Sequence, residues 1–386
     1  MKTILTFIDW YLPAYKAGGP IRSCANMISH LKDDFNFKII CSSFDLNESK
    51  MLDGIESGVW TKAPDGTEIL YINPLQLNFA FIQRMINEVN PDLIYLNSIY
   101  SKFYTLYPLW ANKKRSDHIP VIIAPRGMLG KGSLAQKAFK KKVFLMLAKA
   151  LGLFSNVVWH CSTAQESKEV EKTFDSKSIR ALAINLSEKK KIEFVEIEKT
   201  KGDVKLIWLA RISSVKNFKG AVESIVKIKP MYKVQFDVYG PSDDERYFNE
   251  CLSIVQTAAP HIRINFFEAV PHQKVGKLLS QYHFMFLPTF NENFGHGIVD
   301  AFMASCPVLI SNTTPWKNLE EEYSGMVING FDPSDYALAI EKICNMDQSA
   351  YDIYRKGAYN KAIEIINNPV AKNAHIEMFS NSIKHG

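Results

Sequence analysis

The chain has 386 residues, 47% hydrophobic and 22% charged, which excludes a disordered or fibrous protein and leaves room for two domains. Its 46 Lys+Arg against 40 Asp+Glu give a formal net charge of +6, too small on its own to require a nucleic-acid partner. No apolar run reaches the roughly 18–20 residues that cross a bilayer; the nearest, 143–154, is interrupted by Lys149.

The N-terminal stretch MKTILTFIDWYLP meets Asp9 and Pro13 too soon for a signal peptide and reads as a first buried strand. Further apolar, β-branched runs predict strands at 37–44, 68–73, 92–98, 120–125 and 156–162. Several are apolar on both faces, as in a parallel sheet covered by helices on each side. Between them, amphipathic spacing predicts helices over 20–31, 79–89, 101–114, 133–151 and 164–174. A charge-dense stretch, 187–203, has the composition of a linker. The pattern then restarts, with strands at 204–210, 234–240, 262–269, 284–289, 307–311 and 326–329. Helices alternate with these at 217–228, 247–258, 273–282, 297–306 and 334–346, and Pro369 divides a helical C-terminus. The expected class is α/β, two Rossmann-like doubly wound domains at 1–195 and 196–360, with a helical segment 361–386 packing back on the first.

Six cysteines without a C-x-x-C pair read as reduced core residues, and the expected compartment is cytoplasmic. The charge is unevenly placed: residues 1–199 hold 27 Lys+Arg and 20 Asp+Glu. Residues 113–149 alone hold ten basic residues and one acid, Asp117. Within them 133–151 is basic and amphipathic, either a helix with a solvated basic face or a contact for an anionic membrane, where lipid-linked acceptors are found.

Three βα turns carry candidate chemistry. In 287–311 the strand ends near Pro288 and a helix begins near Gly295 and Gly297, whose backbone amides suit a phosphate. Glu292 and Asp300 flank that start; they fit vicinal hydroxyls, the other reading being a loop residue and a helix-start charge. Arg211 and Lys216 follow the strand at 204–210 and suit a diphosphate clamp or a solvated basic loop. Gly18-Gly19-Pro20 lies between the first strand and helix, a phosphate or sugar loop or a tight turn. The dinucleotide fingerprint G-x-G-x-x-G is absent, which disfavours a dehydrogenase.

Together these segments resemble retaining glycosyltransferases of the GT-B fold, in particular glycosyltransferase family 4 (group 1), whose two Rossmann-like domains face each other. ENFGHGIVD reproduces that family's two-carboxylate spacing from Glu292 to position 300, with Asp in place of the second Glu. Arg211 and Lys216 match its R-x4-K, with Ala210 where Gly is usual, and Gly18 and Gly19 match its N-terminal glycine loop. The resemblance implies that Arg211, Lys216 and Glu292 are catalytic. It implies a donor pocket of Gly18, Gly19, Asn293, Phe294, Gly295, His296, Gly297 and Asp300. The family often has an acceptor-side histidine, whereas Arg126-Gly127 stands at the corresponding place, either binding an acceptor phosphate or pairing with a carboxylate.

The implied reaction moves a sugar from a nucleotide-diphosphate sugar to an acceptor hydroxyl with retention, in bacterial surface polysaccharide or glycan assembly. It needs no cofactor, and the absence of a D-x-D suits a metal-independent site. The implied partners are the nucleotide-sugar donor, a lipid-linked saccharide acceptor and the inner face of the cytoplasmic membrane, with no nucleic acid. The alternatives are a GT-B sugar-nucleotide epimerase, which would need no acceptor, and a non-catalytic sugar-binding protein.

Overall fold

The computed structural model describes residues 1–135, 138–242 and 244–385. The chain divides into unit 1, Met1–Lys189 with Asn368–Gly386, and unit 2, Lys190–Asn367. Unit 1 is built on eight strands: β1 (Thr3–Phe7), β2 (Asn36–Ser42), β3 (Trp60–Lys62), β4 (Glu68–Ile72), β5 (Leu93–Leu96), β6 (Val121–Ile123), β7 (Val157–Cys161) and β8 (Ile179–Leu182). Their order is β3-β4-β2-β1-β5-β6-β7-β8, parallel apart from the antiparallel edge β3. Apolar side chains of β1, β2 and β5 point alternately into two separate cores, one on each face. That is why these strands read as unbroken apolar runs.

Unit 2 holds β9 (Asp203–Leu209), β10 (Lys233–Tyr239), β11 (Ile262–Phe267), β12 (Phe284–Leu287), β13 (Val308–Ser311) and β14 (Gly325–Ile328). The sheet is wholly parallel, in the order β11-β10-β9-β12-β13-β14. Numbered from its own first strand, this is the 3-2-1-4-5-6 order of a doubly wound fold. Its direction of winding reverses between β9 and β12. Ligands of such sheets bind beyond the carboxyl ends of the strands at that reversal, and both strands' following loops carry candidate residues. In unit 1 the corresponding reversal lies between β1 and β5.

The units do not divide at 195/196 and 360/361, where the sequence places them. Residues 190–199 stay with unit 2 because Arg355 donates from Nε and Nη2 to the Val195 carbonyl at 2.9 and 2.6 Å. Gln348 adds a bond to the Lys199 amide at 2.7 Å. The helix Gln348–Ile366 likewise stays in unit 2, and the chain returns to unit 1 with the helix Pro369–His385. There Phe379 packs edge-on against Phe35, Phe37 and Tyr95, and Lys372 pairs with Asp34 at 3.0 Å.

Two strands, β3 and β8, are absent from the sequence reading. Both are short edge strands with few buried residues, so neither shows a hydrophobic period. The predicted helix 101–114 is a π turn over Lys102–Leu106 followed by an α-helix over Tyr107–Lys113. All six cysteines are buried and unpaired, consistent with the core role expected of them.

Candidate functional site

In unit 2 the loop leaving β9 is shaped by two close approaches. Gly240, at φ 145°, lies so near Ala210 that a Cβ would stand 2.2 Å from the Ala210 carbonyl oxygen. Across this contact Ala210 N–H donates to Tyr239 and Ile212 N–H to Pro241, so the loop carrying Arg211 runs beside the end of β10. Asn217 then adopts the left-handed conformation and caps the helix Phe218–Ile225, its Oδ1 accepting from Gly220 N–H at 3.2 Å. Its Nδ2 donates to the Pro288 carbonyl, just past β12, at 3.0 Å. The Val215 carbonyl accepts from Phe290 N–H and from the buried Thr289 hydroxyl, so the loops after β9 and β12 are bonded side by side.

This scaffold brings together two predicted residues 76 positions apart. Lys216 Nζ lies 2.5 Å from Glu292 Oε2, with the side chains 20% and 17% exposed. The pair stands where the sheet reverses, half shielded from water and still reachable. Gly295, at φ 81°, begins the helix His296–Met303 and packs its Cα against Glu292 and Ile298 so closely that a Cβ would lie 2.9 Å from Ile298 Cδ1. Gly295 has no side chain with which to cap that helix, and its carbonyl accepts from the Ile298 and Val299 amides at 2.9 and 3.1 Å. Trp316 fixes the turn from outside: its Nε1 donates to the Phe294 carbonyl at 2.6 Å, and Phe294 in turn lies against His296. Asn293 and Gly297 are partly exposed in the same turn, and Arg211 is exposed in the loop after β9. Asp300, by contrast, is 3% exposed in the second turn of the helix.

Gly18, Gly19 and Arg126 belong to unit 1. Gly18, at φ 70°, precedes the helix Gly19–Leu31 with open space where a Cβ would stand, so backbone conformation rather than crowding favours glycine. Arg126 itself has φ 52°. Its guanidinium donates to Asn97 Oδ1, Asn185 Oδ1 and Tyr95 Oη at 2.7, 2.5 and 2.8 Å. Of the two roles open to Arg126, pairing with a carboxylate is not found among the described residues, because neutral oxygens at the ends of β5 and beyond β8 hold it. Glu166 is engaged by Gly127 N–H and by Ser162 N–H and hydroxyl. Behind Tyr95 lies His160, bonded to its hydroxyl at 2.8 Å; burial and the Arg126 charge push this imidazole well below its usual pKa, so it stays neutral.

Residues 189–361 match the family model for glycosyl transferases group 1. That span nearly coincides with unit 2 and includes Arg211, Lys216, Glu292 and the helix start at Gly295. No curated protein matches the chain by sequence. Among solved structures, Anabaena HepE in complex with UDP and glucose is similar at 13% identity and TM-score 0.72, covering 99% of this chain and 100% of its own. Sucrose-phosphate synthase from Thermosynechococcus elongatus is similar at 14% identity and TM-score 0.73 over 100% of both chains. WaaG, a glycosyltransferase involved in lipopolysaccharide biosynthesis, shares 12% identity and TM-score 0.66 over 97% of this chain and 99% of its own. The two-domain α/β fold is thus that of GT-B glycosyltransferase structures.

The basic segment of unit 1 is less uniform than its composition suggests. Arg115 is drawn into bonds with Asn87, Asn90 and Asp117, and Lys141 donates to the Ser133 carbonyl while lying over the Tyr100 ring. Lys137 lies outside the described residues. What the helix Ala138–Ala150 exposes is Lys140, Lys142 and Lys149 beside Met146 and Leu147, with Phe139 81% exposed. Of its residues Ala148 alone is fully buried. Among the described residues no helix is long and apolar enough to cross a membrane.

Proposed function

We propose that this protein transfers a sugar from a nucleotide-diphosphate sugar to an acceptor hydroxyl with retention of anomeric configuration, as a family 4 glycosyltransferase does. The observation that carries this reading is the Lys216–Glu292 pair at the reversal of the unit 2 sheet, beside the glycine start of the helix His296–Met303. Before the donor binds, each charge compensates the other. A diphosphate entering against the helix start attracts Lys216, with Arg211 as its second cation, and Glu292 turns to the donor sugar. The bond from the anomeric carbon to the diphosphate oxygen breaks with its electron pair going to the diphosphate. The acceptor oxygen bonds to the same face, and its proton passes to the leaving diphosphate. Stabilising that departing charge is the main task, and two cations and oriented amides perform it without an obligatory protein nucleophile.

Asn293, Phe294, His296 and Gly297 would line the donor sugar and diphosphate and Asp300 would bind the ribose; Gly18 and Gly19 are assigned to donor binding on the family resemblance. Arg126, fixed by neutral oxygens and with no carboxylate in ion-pair reach among the described residues, would meet the acceptor. Screening UDP-, GDP- and ADP-sugars for thermal stabilisation tests the reading, since a ligand that binds the folded protein raises its melting temperature. At a concentration 100-fold above Kd the stabilisation should be about 2.7 kcal/mol. No shift with any of the three classes would refute it.

The reaction needs no cofactor and no metal, so full turnover is expected in excess EDTA. Strict dependence on an added divalent ion would contradict the roles given to Lys216 and Arg211. The acceptor we propose is a lipid-linked saccharide of bacterial surface glycan assembly, met at the inner face of the cytoplasmic membrane. The support is the helix Ala138–Ala150, which exposes lysines and large apolar side chains together, a combination suited to an anionic interface. Co-sedimentation should recover more protein with phosphatidylglycerol-containing vesicles than with phosphatidylcholine alone, and Phe139→Ser should reduce the difference. Equal recovery with both vesicles would remove the membrane from the proposal.

A further inference from the structure

At the reversal of the unit 1 sheet stands a carboxylate that none of the chemistry above uses. Asp9 follows β1 by two residues, and its carbonyl accepts from Ser42 N–H at the end of β2. Asn97 N–H, just past β5, donates to Phe7, so Asp9, Ser42 and Asn97 occupy one level at the carboxyl ends of three adjacent strands. Asp9 is partly exposed, and no cation lies in ion-pair reach of it among the described residues. The side chain that holds it is Ser101, whose hydroxyl donates to Oδ1 at 2.7 Å. The carboxylate's other donor is its own backbone N–H, and burial outweighs both bonds and pushes its pKa up from the usual carboxylate range.

The surroundings add a second, independent observation. Ser101 also caps the π turn Lys102–Leu106, its hydroxyl accepting from Tyr104 N–H, and isolated π turns recur at functional sites. Tyr104 is buried and its hydroxyl has no hydrogen-bond partner among the described residues; burial raises its pKa, with Cys41 and Asp9 adding to the shift. Six buried side chains among the described residues keep a polar atom unpartnered. Five of these (Thr6, Ser43, Asn97, Tyr100 and Tyr104) lie in β1 or in the segments leaving β2 and β5. Unpaired buried polar groups are individually destabilising, and three of these, on Asn97, Tyr100 and Tyr104, lie in the segment whose Ser101 holds Asp9.

We infer that Asp9, held by Ser101 at the carboxyl end of β1, binds a hydroxyl of a saccharide acceptor. A carboxylate accepts from hydroxyl groups, as Asp9 already does from Ser101. This inference rests on the proposed transferase reading, because it places the acceptor in unit 1.

Saturation-transfer NMR with methyl glucoside, methyl galactoside, methyl mannoside and N-acetylglucosamine, in the presence of UDP, tests it. At least one sugar should bind the full-length protein. Its affinity should fall about tenfold or more in Asp9→Asn, as expected for a lost hydrogen bond to a charged group. Ser101→Ala, which keeps the carboxylate and removes its support, should weaken the same sugar about threefold. Glu292→Gln should leave it bound, and UDP affinity should be unchanged in both unit 1 variants. Binding of none of the sugars, equal binding by Asp9→Asn and Ser101→Ala, or loss in Glu292→Gln instead would overturn the inference. Failure of UDP to bind the unaltered protein would count against the donor reading alone.

Discussion

Lys216→Ala should lower kcat by about 10²–10³-fold, the loss expected when one preorganised stabiliser of developing charge is removed. Its amine is held by Glu292 at 2.5 Å on a loop bonded to the neighbouring strand end, so it is in place before any substrate arrives. The effect should therefore fall on turnover more than on donor affinity. Arg211→Ala should also remove most activity, with a smaller change in kcat and a larger rise in donor KM, because Arg211 is exposed. Lys216→Ala leaves Glu292 without its cation, so the double variant Lys216→Ala/Glu292→Gln separates lost catalysis from stranded charge. If the two residues act as one unit, the double variant should be scarcely worse than the worse single one. Release of nucleoside diphosphate measures the unaltered protein and each variant, and near-normal rates in both Lys216→Ala and Arg211→Ala would discard the assignment.

The positions of these residues were legible because of what precedes them. FMFLPT and VKLIWLA are apolar enough to mark buried parallel strands, and in a doubly wound sheet the turn after such a strand is where ligands bind. The contact between Lys216 and Glu292 is another matter. It depends on β9 and β12 being neighbours, and strand order is not written in either segment. The resemblance to a family brought the two residues together before the sheet did. Gly240 escaped notice because its constraint is the Ala210 carbonyl, a backbone atom of the next strand that has no sequence signature. Asp9 was read as the residue that ends an apolar run, and its isolation from any cation shows once Ser101 and the π turn are placed around it. The composition of 113–149 overstated the basic surface for a related reason. Charge counts do not reveal which lysines and arginines are occupied by local carbonyls and rings, as Arg115 and Lys141 are.

The residue most hidden from the sequence is also the one whose loss should destabilise unit 2 most. Arg355 lies in the middle of the helix Gln348–Ile366 and is 0% exposed. A buried charge ordinarily needs a countercharge, yet every partner of this guanidinium is neutral: the carbonyls of Val195, Tyr282 and Ala304, and the Tyr351 hydroxyl. Ala304 caps the carboxyl end of the helix His296–Met303, the negative end of its dipole, which supplies part of the missing compensation. The amino end of that helix lies beside Glu292, so Arg355 anchors from behind the helix that follows the Glu292 loop while pinning residues 190–199 to unit 2. Arg355→Met would fill much of the space but strand several backbone carbonyls, each costing about 1–3 kcal/mol. The expected total is about 3–5 kcal/mol, comparable to breaking a buried charge pair, or roughly 10 °C in the melting temperature of a unit of this size. Circular dichroism melts should show that loss, and Arg355→Lys, which keeps a charge but cannot reach all four partners, should fall between. A melting temperature within about 2 °C of the unaltered protein in Arg355→Met would show that the guanidinium's bonds merely offset its own desolvation.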